Sequence, residues 1–167
     1  SQGDPARAVA AYRKALAINP DLGNAHFNLA RLSMAGGNLE EALHHIGRVV
    51  ALDPTSADEW NIKGRLHQAM RDLQPAKEAY ERSIKLDPTS WTTLHDYAVC
   101  AEQFGNFLFA MRQYERAVAL SGRGGASDPS ELSLWLYNLG NTLAKLERDA
   151  DARAVLTRAL EVAEGAQ

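Results

Sequence analysis

The sequence predicts an all-α fold built from repeated antiparallel helix pairs. Three observations carry that expectation: a 34-residue period, helix caps that fall in step with it, and a composition rich in Ala and Leu and sparse in β-branched residues.

The period is read from several independent columns. "LDPTS" at Leu52–Ser56 recurs one period later at Leu86–Ser90, and "INPDL" at Ile18–Leu22 lies one period before the first copy. Ala8, Ala42, Ala76 and Ala110 share one phase. Tyr12, Ile46, Tyr80 and Tyr114 follow them by four residues, and Ala15, Val49, Ser83 and Ala117 by seven. Steps of four and three keep these residues on one helical face. The preceding helix of each unit carries Ala30, Gly64 and Ala98 at one phase, where a small side chain lets two helix backbones approach closely.

Caps and breakers mark the elements. Asp4, Asn38, Asp72 and Asn106 stand before second helices and accept bonds from a first turn's unpaired N–H groups. Glu41, three residues after Asn38, suggests a capping box. Gly3, Gly37 and Gly105 suit the turns, and Pro20, Pro54 and Pro88 close the second helices. The expected helices are 5–18, 23–35, 39–52, 57–70, 73–86, 91–103, 107–120, 129–146 and 150–163.

These columns resemble the tetratricopeptide repeat over essentially the whole chain. Its signature, W-x2-L-G-x2-Y followed by Ala, an aromatic, Ala and Pro, is met by Trp60, Gly64, Ala76, Tyr80, Ser83 and Pro88. It is met again by Leu136, Leu139, Gly140, Leu143, Ala152, Leu156 and Ala159. Lys63, His67 and Arg71 depart from the family's Leu, Tyr and turn Gly, which implies looser packing there. The resemblance implies a right-handed α-solenoid of about four and a half repeats forming a single array over 1–167. Its parts are a lone second helix in 1–22, repeats 23–56, 57–90 and 91–126, and a last repeat in 127–167.

One stretch interrupts the period. The step from Ala110 to Ala152 exceeds the period by eight, and the excess falls on "SGRGGASDPS", Ser121–Ser130. This is no P-loop: it has no Lys, and no strand precedes it. It reads as a connection, with Asp128 capping the next helix and Pro129 at its first position. A projecting loop or an altered angle of the last helix pair is the expectation. The chain also starts inside a repeat, so helix 5–18 lacks its partner, and the last repeat has no capping helix. The chain is therefore expected to be a segment of a longer protein or to have its ends covered by another copy.

Composition narrows the function. A net charge of −3 argues against a general nucleic-acid binder, and no apolar run is long enough for membrane insertion. The single Cys100 excludes an internal disulfide and reads as a small buried side chain. His26, His44, His45, His67 and His95 show no i,i+3 or i,i+4 pair, and HExxH is absent. No catalytic residue, metal site or cofactor is expected. The carboxylates of second helices read as a solvated face, with Glu78–Arg82 and Glu81–Lys85 at i,i+4.

The resemblance implies that first helices line a concave face where ligands bind. Candidate contacts there are Asn28, Arg31, Asn61, Arg65, His95, Tyr137, Asn138 and Asn141. Arg31 and Arg65 share a phase, and each guanidinium is a planar fork suited to a carboxylate. Asparagine amides can donate to and accept from a peptide backbone. The competing reading is a solvated surface with the arginines paired to Asp58 or Glu102. Some family members clamp the terminal carboxylate of chaperone tails, but Phe27, Thr92 and Asp96 depart from that pattern. The expected role is a non-catalytic protein–protein interaction scaffold for a protein or peptide carrying acidic or carboxylate groups. The alternatives are a spacer that self-associates through its unpaired terminal helices, and a substrate-recruiting segment of a larger enzyme.

Overall fold

The computed structural model describes residues 4–121 and 128–165. Among them are nine α-helices and no strands: α1 (Pro5–Ile18), α2 (Gly23–Ala35), α3 (Leu39–Leu52), α4 (Ala57–Ala69), α5 (Leu73–Leu86), α6 (Trp91–Gln103), α7 (Phe107–Ser121), α8 (Pro129–Lys145) and α9 (Asp149–Glu164). The expected bounds hold to within one residue. The fold is all-α, of the solenoid class. The glycine-rich residues 122–127 lie outside the described residues, and so does the expectation of a projecting loop there. The helix that follows does begin at Pro129, with the Asp128 carboxylate accepting from Ser130 N at 3.0 Å.

The chain forms two compact units, Ser1–Leu86 and Asp87–Gln167. In the first, α2 pairs with α3 and α4 with α5, while α1 packs on α2 and α3 on α4. Its core gathers Ala30, Ala42, Ile46, Val50 and Leu66, flanked by Phe27, Met34 and Trp60. In the second, α6 pairs with α7, α8 with α9, and α7 packs on α8. Its core gathers Ala98, Ala101, Ala110, Met111, Tyr114, Leu139, Leu143 and Ala152.

Within each pair, the small residue of the first helix meets a large one of the second. A Cβ on Gly64 would lie 2.7 Å from the Tyr80 ring, and one on Gly140 would lie 2.6 Å from Leu156 Cγ. Ala30 and Ala98 fill the same phase and are fully buried. Tyr80 and Tyr114, buried by this approach, extend their hydroxyls to Gln68 Oε1 at 2.6 Å and Glu102 Oε2 at 3.2 Å. The two acceptors stand one period apart, so one hydrogen-bonding arrangement recurs in both units.

Turns follow backbone sterics. Gly37 and Gly105 adopt positive φ (75° and 74°), and Arg71 and Glu147 hold the same left-handed conformation (65° and 59°) without glycine's freedom. Caps are met unevenly. Asp4 accepts from Ala6 N at 3.0 Å and Asn106 from Phe109 N at 3.2 Å, but the Asn38 side chain makes no capping bond. The capping box at Glu41 is corrected: its carboxylate is drawn instead to Arg13 Nη2 at 2.7 Å and Ser33 Oγ at 3.0 Å. A charged donor from α1 and a hydroxyl from α2 offer it stronger bonds than one backbone N–H.

Two outcomes are expected in urea titrations. Gly64→Ala and Gly140→Ala each destabilise, because overpacking at about 1–3 kcal/mol outweighs a helix-propensity gain of about 0.8–1 kcal/mol. Arg71→Gly stabilises by about 0.5–1 kcal/mol, as relief of left-handed strain exceeds glycine's added chain entropy.

Candidate functional site

The first helices place the candidate residues, and each unit has its own set. In the first unit, α2 carries Asn28 and Arg31, and α4 carries Asn61 and Arg65. Both arginines are exposed. Arg31 makes no hydrogen bond or ion pair among the described residues, whereas Arg65 is engaged within the protein. Asn28 is half-buried and donates from Nδ2 to Asn24 O, one turn back, at 2.8 Å. Asn61 is buried and engaged.

In the second unit, α6 and α8 bring His95 and Asn138 together: His95 Nε2 lies 3.0 Å from Asn138 Nδ2. Asn138 donates, so this ring nitrogen accepts, and the His95 proton sits on Nδ1, 3.5 Å from Asp96 Oδ1. The ring is held between Tyr114 and Trp135, with centroids at 5.5 and 5.8 Å. Asn141 is half-buried on the same helix as Asn138. Tyr137 stands apart from them. It is 53 % exposed and lines an apolar cavity of about 530 Å³ with Leu134, Leu156, Ala159 and Leu160.

Glu102 is the polar centre of this unit. Besides the Tyr114 hydroxyl it accepts from Thr142 Oγ1 at 2.9 Å and Lys145 Nζ at 3.2 Å. Burial first, and then the Glu102 charge, push the Tyr114 phenol well above its ordinary range. Burial alone pushes the Cys100 thiol up to about 11, so it is a packed side chain with almost no thiolate at neutral pH.

The departures at Lys63 and His67 also find their place in the first unit. Lys63 Nζ lies 4.9 Å over the Trp60 ring, and a cavity of about 290 Å³ opens beside them, lined also by Pro75 and Arg82. His67 Nδ1 is buried without a hydrogen bond, 3.7 Å from Asp72 Oδ2. Burial, followed by the Lys63 charge, holds its imidazole below the ordinary range.

The sequence pattern missed one buried polar pair. His26 Nδ1 and His45 Nδ1 lie 2.9 Å apart, and His26 Nε2 is 3.0 Å from Pro20 O. The signal was present in the period. The two histidines stand at the phases of Trp60 and Ala79, one on the first and one on the second helix of a pair. A search for ligands within one helix could not reveal it. Among the described residues no three of His, Cys, Asp and Glu gather closely enough to hold a metal ion, and no helix is long and apolar enough to cross a membrane.

The repeated pair geometry meets its match in known families. Two family models, both of the Tetratricopeptide repeat, match residues 1–66, and 58–90 with 136–165. The chain belongs to the tetratricopeptide repeat family. Solved structures of similar fold include MamA, with a TM-score of 0.88 at 22% identity over 98% of this chain and 91% of that one. BtubC from P. vanneervenii gives 0.87 at 22% over 98% and 75%. YrrB, described as a TPR protein with an unusual peptide-binding site, gives 0.78 at 19% over 95% and 77%. At these identities the likeness is one of fold. No curated protein matches the chain in sequence. Members of this repeat family serve as protein-interaction modules, and that is the coarse role the family assigns.

Glu102→Ala strands the buried Tyr114 hydroxyl and should cost about 1–3 kcal/mol of stability. Glu102→Gln, which keeps an acceptor oxygen, should recover most of it. Thermal or urea unfolding monitored by circular dichroism reads both.

Proposed function

We propose that this tetratricopeptide protein is a non-catalytic scaffold that binds an extended peptide or protein segment along its first helices. Arg31 and Arg65 in the first unit would take a carboxylate of the ligand. The carrying observation is Arg31: an exposed guanidinium with no partner among the described residues, at the phase of a second exposed arginine. Helices α2 and α4 both pack on α3, and in this reading one ligand segment spans the two arginine forks they carry. Asn28 lies half-buried on α2 for contacts with the ligand backbone, whereas Asn61, buried and already engaged, is left out of this reading.

Taken by itself, the second unit has a separate share of the candidate contacts in His95, Asn138 and Asn141, with Tyr137 apart from them at its apolar cavity. The His95–Asn138 hydrogen bond makes that share an ordered polar surface rather than a cationic anchor, so the charge preference is carried by α2 and α4. YrrB, as a peptide-binding member of the same fold, supports the ligand class.

The test uses fluorescence anisotropy with a panel of acidic peptides, each made with a free and with an amidated C-terminus. A charge-assisted hydrogen bond contributes about 1.5–3 kcal/mol, so Arg31→Ala with Arg65→Ala should weaken the best binder at least tenfold while circular dichroism stays unchanged. Equal affinity of the double variant and the parent for that peptide would refute the assignment.

A second reading rests on a separate observation. Helix α1 has no buried residue, and Leu134, Tyr137 and Leu160 are exposed on α8 and α9. Such faces suit self-association. Sedimentation should then show mass rising with concentration in the micromolar range, and a strict monomer would remove this reading.

A further inference from the structure

We propose that the His26–His45 pair is an acid-sensitive latch, which holds α2 to α3 and to the turn after α1 at neutral pH and opens this part of the first unit on acidification. The proposal is independent of the ligand reading above.

Geometry fixes the protons. Pro20 O can only accept, so His26 Nε2 at 3.0 Å carries hydrogen. In the neutral ring Nδ1 is then bare and accepts. The His45 Nδ1, 2.9 Å away, must donate to it. One added proton can be held by the pair with a single hydrogen still lying between the two Nδ1 atoms, so this hydrogen bond survives it. A second puts hydrogen on both Nδ1 atoms. It would set two N–H groups and two positive rings against each other across 2.9 Å, and the rings must separate. The folded pair therefore holds one proton where the unfolded chain holds two.

The surroundings reinforce this. The groups acting on His45 are His26 from α2, His44 and Glu41 from α3, and Arg13 from α1; none is from α4. Burial, with His26, His44 and Arg13, disfavours charge on His45, and Glu41 alone favours it. The Glu41 carboxylate is already shared between Arg13 and Ser33. His45 lies below its ordinary range for these reasons. Its contribution to stability is thus present above the unfolded value of about 6.5 and is lost as pH falls below it.

The repeats provide an internal contrast. The positions of His26 and His45 are held by Trp60 and Ala79, by Leu94 and Gln113, and, across the lengthened spacing, by Leu136 and Val155. None of these pairs titrates. One excluded proton weakens the closed state about tenfold per pH unit below about 6.5, which is about thirtyfold at pH 5. Because α2 also bears Asn28 and Arg31, opening the latch would free a helix that the ligand reading depends on.

Hydrogen exchange of the whole chain at pH 7.5 and 5.0, expressed as protection factors, tests the latch. Protection in α1–α3 should fall about thirtyfold, while α6–α9 changes less than threefold. The variant His26→Leu with His45→Val, the residues found at these places in α8 and α9, should abolish the difference. Ring ¹⁵N–¹H correlations on the unaltered protein at pH 7.5 should show hydrogen on His26 Nε2 and His45 Nδ1, which keeps the proposal testable should that variant not fold. Equal loss of protection in both units, an unchanged pH response in the variant, or the opposite tautomers would overturn it.

Discussion

The near-contact between the two helices of each pair is the constraint on which this protein is built. At one phase the first helix offers a glycine or alanine, and the second lays a large side chain against it. No Cβ fits at Gly64 or Gly140 without displacing Tyr80 or Leu156. That approach buries Ile46, Tyr80 and Tyr114 almost completely, and each large side chain contributes about 1.5–3 kcal/mol. Within each unit the second helix of one pair then packs on the first helix of the next, α3 on α4 and α7 on α8.

Burying a tyrosine ring commits its hydroxyl to finding a partner. The chain answers at one recurring position near the end of the first helix, with Gln68 in one unit and Glu102 in the other. The choice between amide and carboxylate has consequences for the surrounding surface. Gln68 accepts the Tyr80 hydroxyl as a neutral group. Glu102 is a charge, and it draws in Thr142 and Lys145 from α8. Polar groups of the second unit are thereby tied to one another, as His95 and Asn138 also are. In the first unit the exposed Arg31 has no such tie among the described residues. A guanidinium left in water would exchange solvent for a carboxylate, in the proposed reading, without first breaking an internal bond.

Almost all of the fold was legible because its determinants are local and repeated. Periodic Ala and Gly columns, Pro after three of the second helices and caps at a fixed phase located the helices to within a residue. What escaped was set by competition in three dimensions. Glu41 has capping-box spacing, yet Arg13 and Ser33 reach it from other helices. His26 and His45 are unremarkable within their own helices and meet only because α2 and α3 pair. The candidate site was legible as a set of phases, since Arg31 and Arg65 recur one period apart. Their engagement was not, because whether a surface side chain is occupied depends on neighbours that spacing does not identify. Tyr137 shows the same limit: it shares a helix with Asn138 but lines an apolar cavity, away from the contact that Asn138 makes with α6.

A repeat protein carries its own controls, and this bears on where individuality can arise. The crossing column admits only glycine and alanine, so it cannot differentiate one repeat from another. Columns that face solvent or a neighbouring helix tolerate more. The position of His26 accepts Trp60, Leu94 and Leu136, and that of His45 accepts Ala79, Gln113 and Val155. With packing already secured at the crossing, these columns hold an apolar pair, Leu94 with Gln113, or two imidazoles while the helices pair alike. Arg31, similarly, occupies a phase where a charged side chain costs the fold nothing. Chemistry specific to this chain is therefore concentrated where the repeat is permissive, and those columns, rather than the ones that define the family, distinguish it from proteins of the same fold.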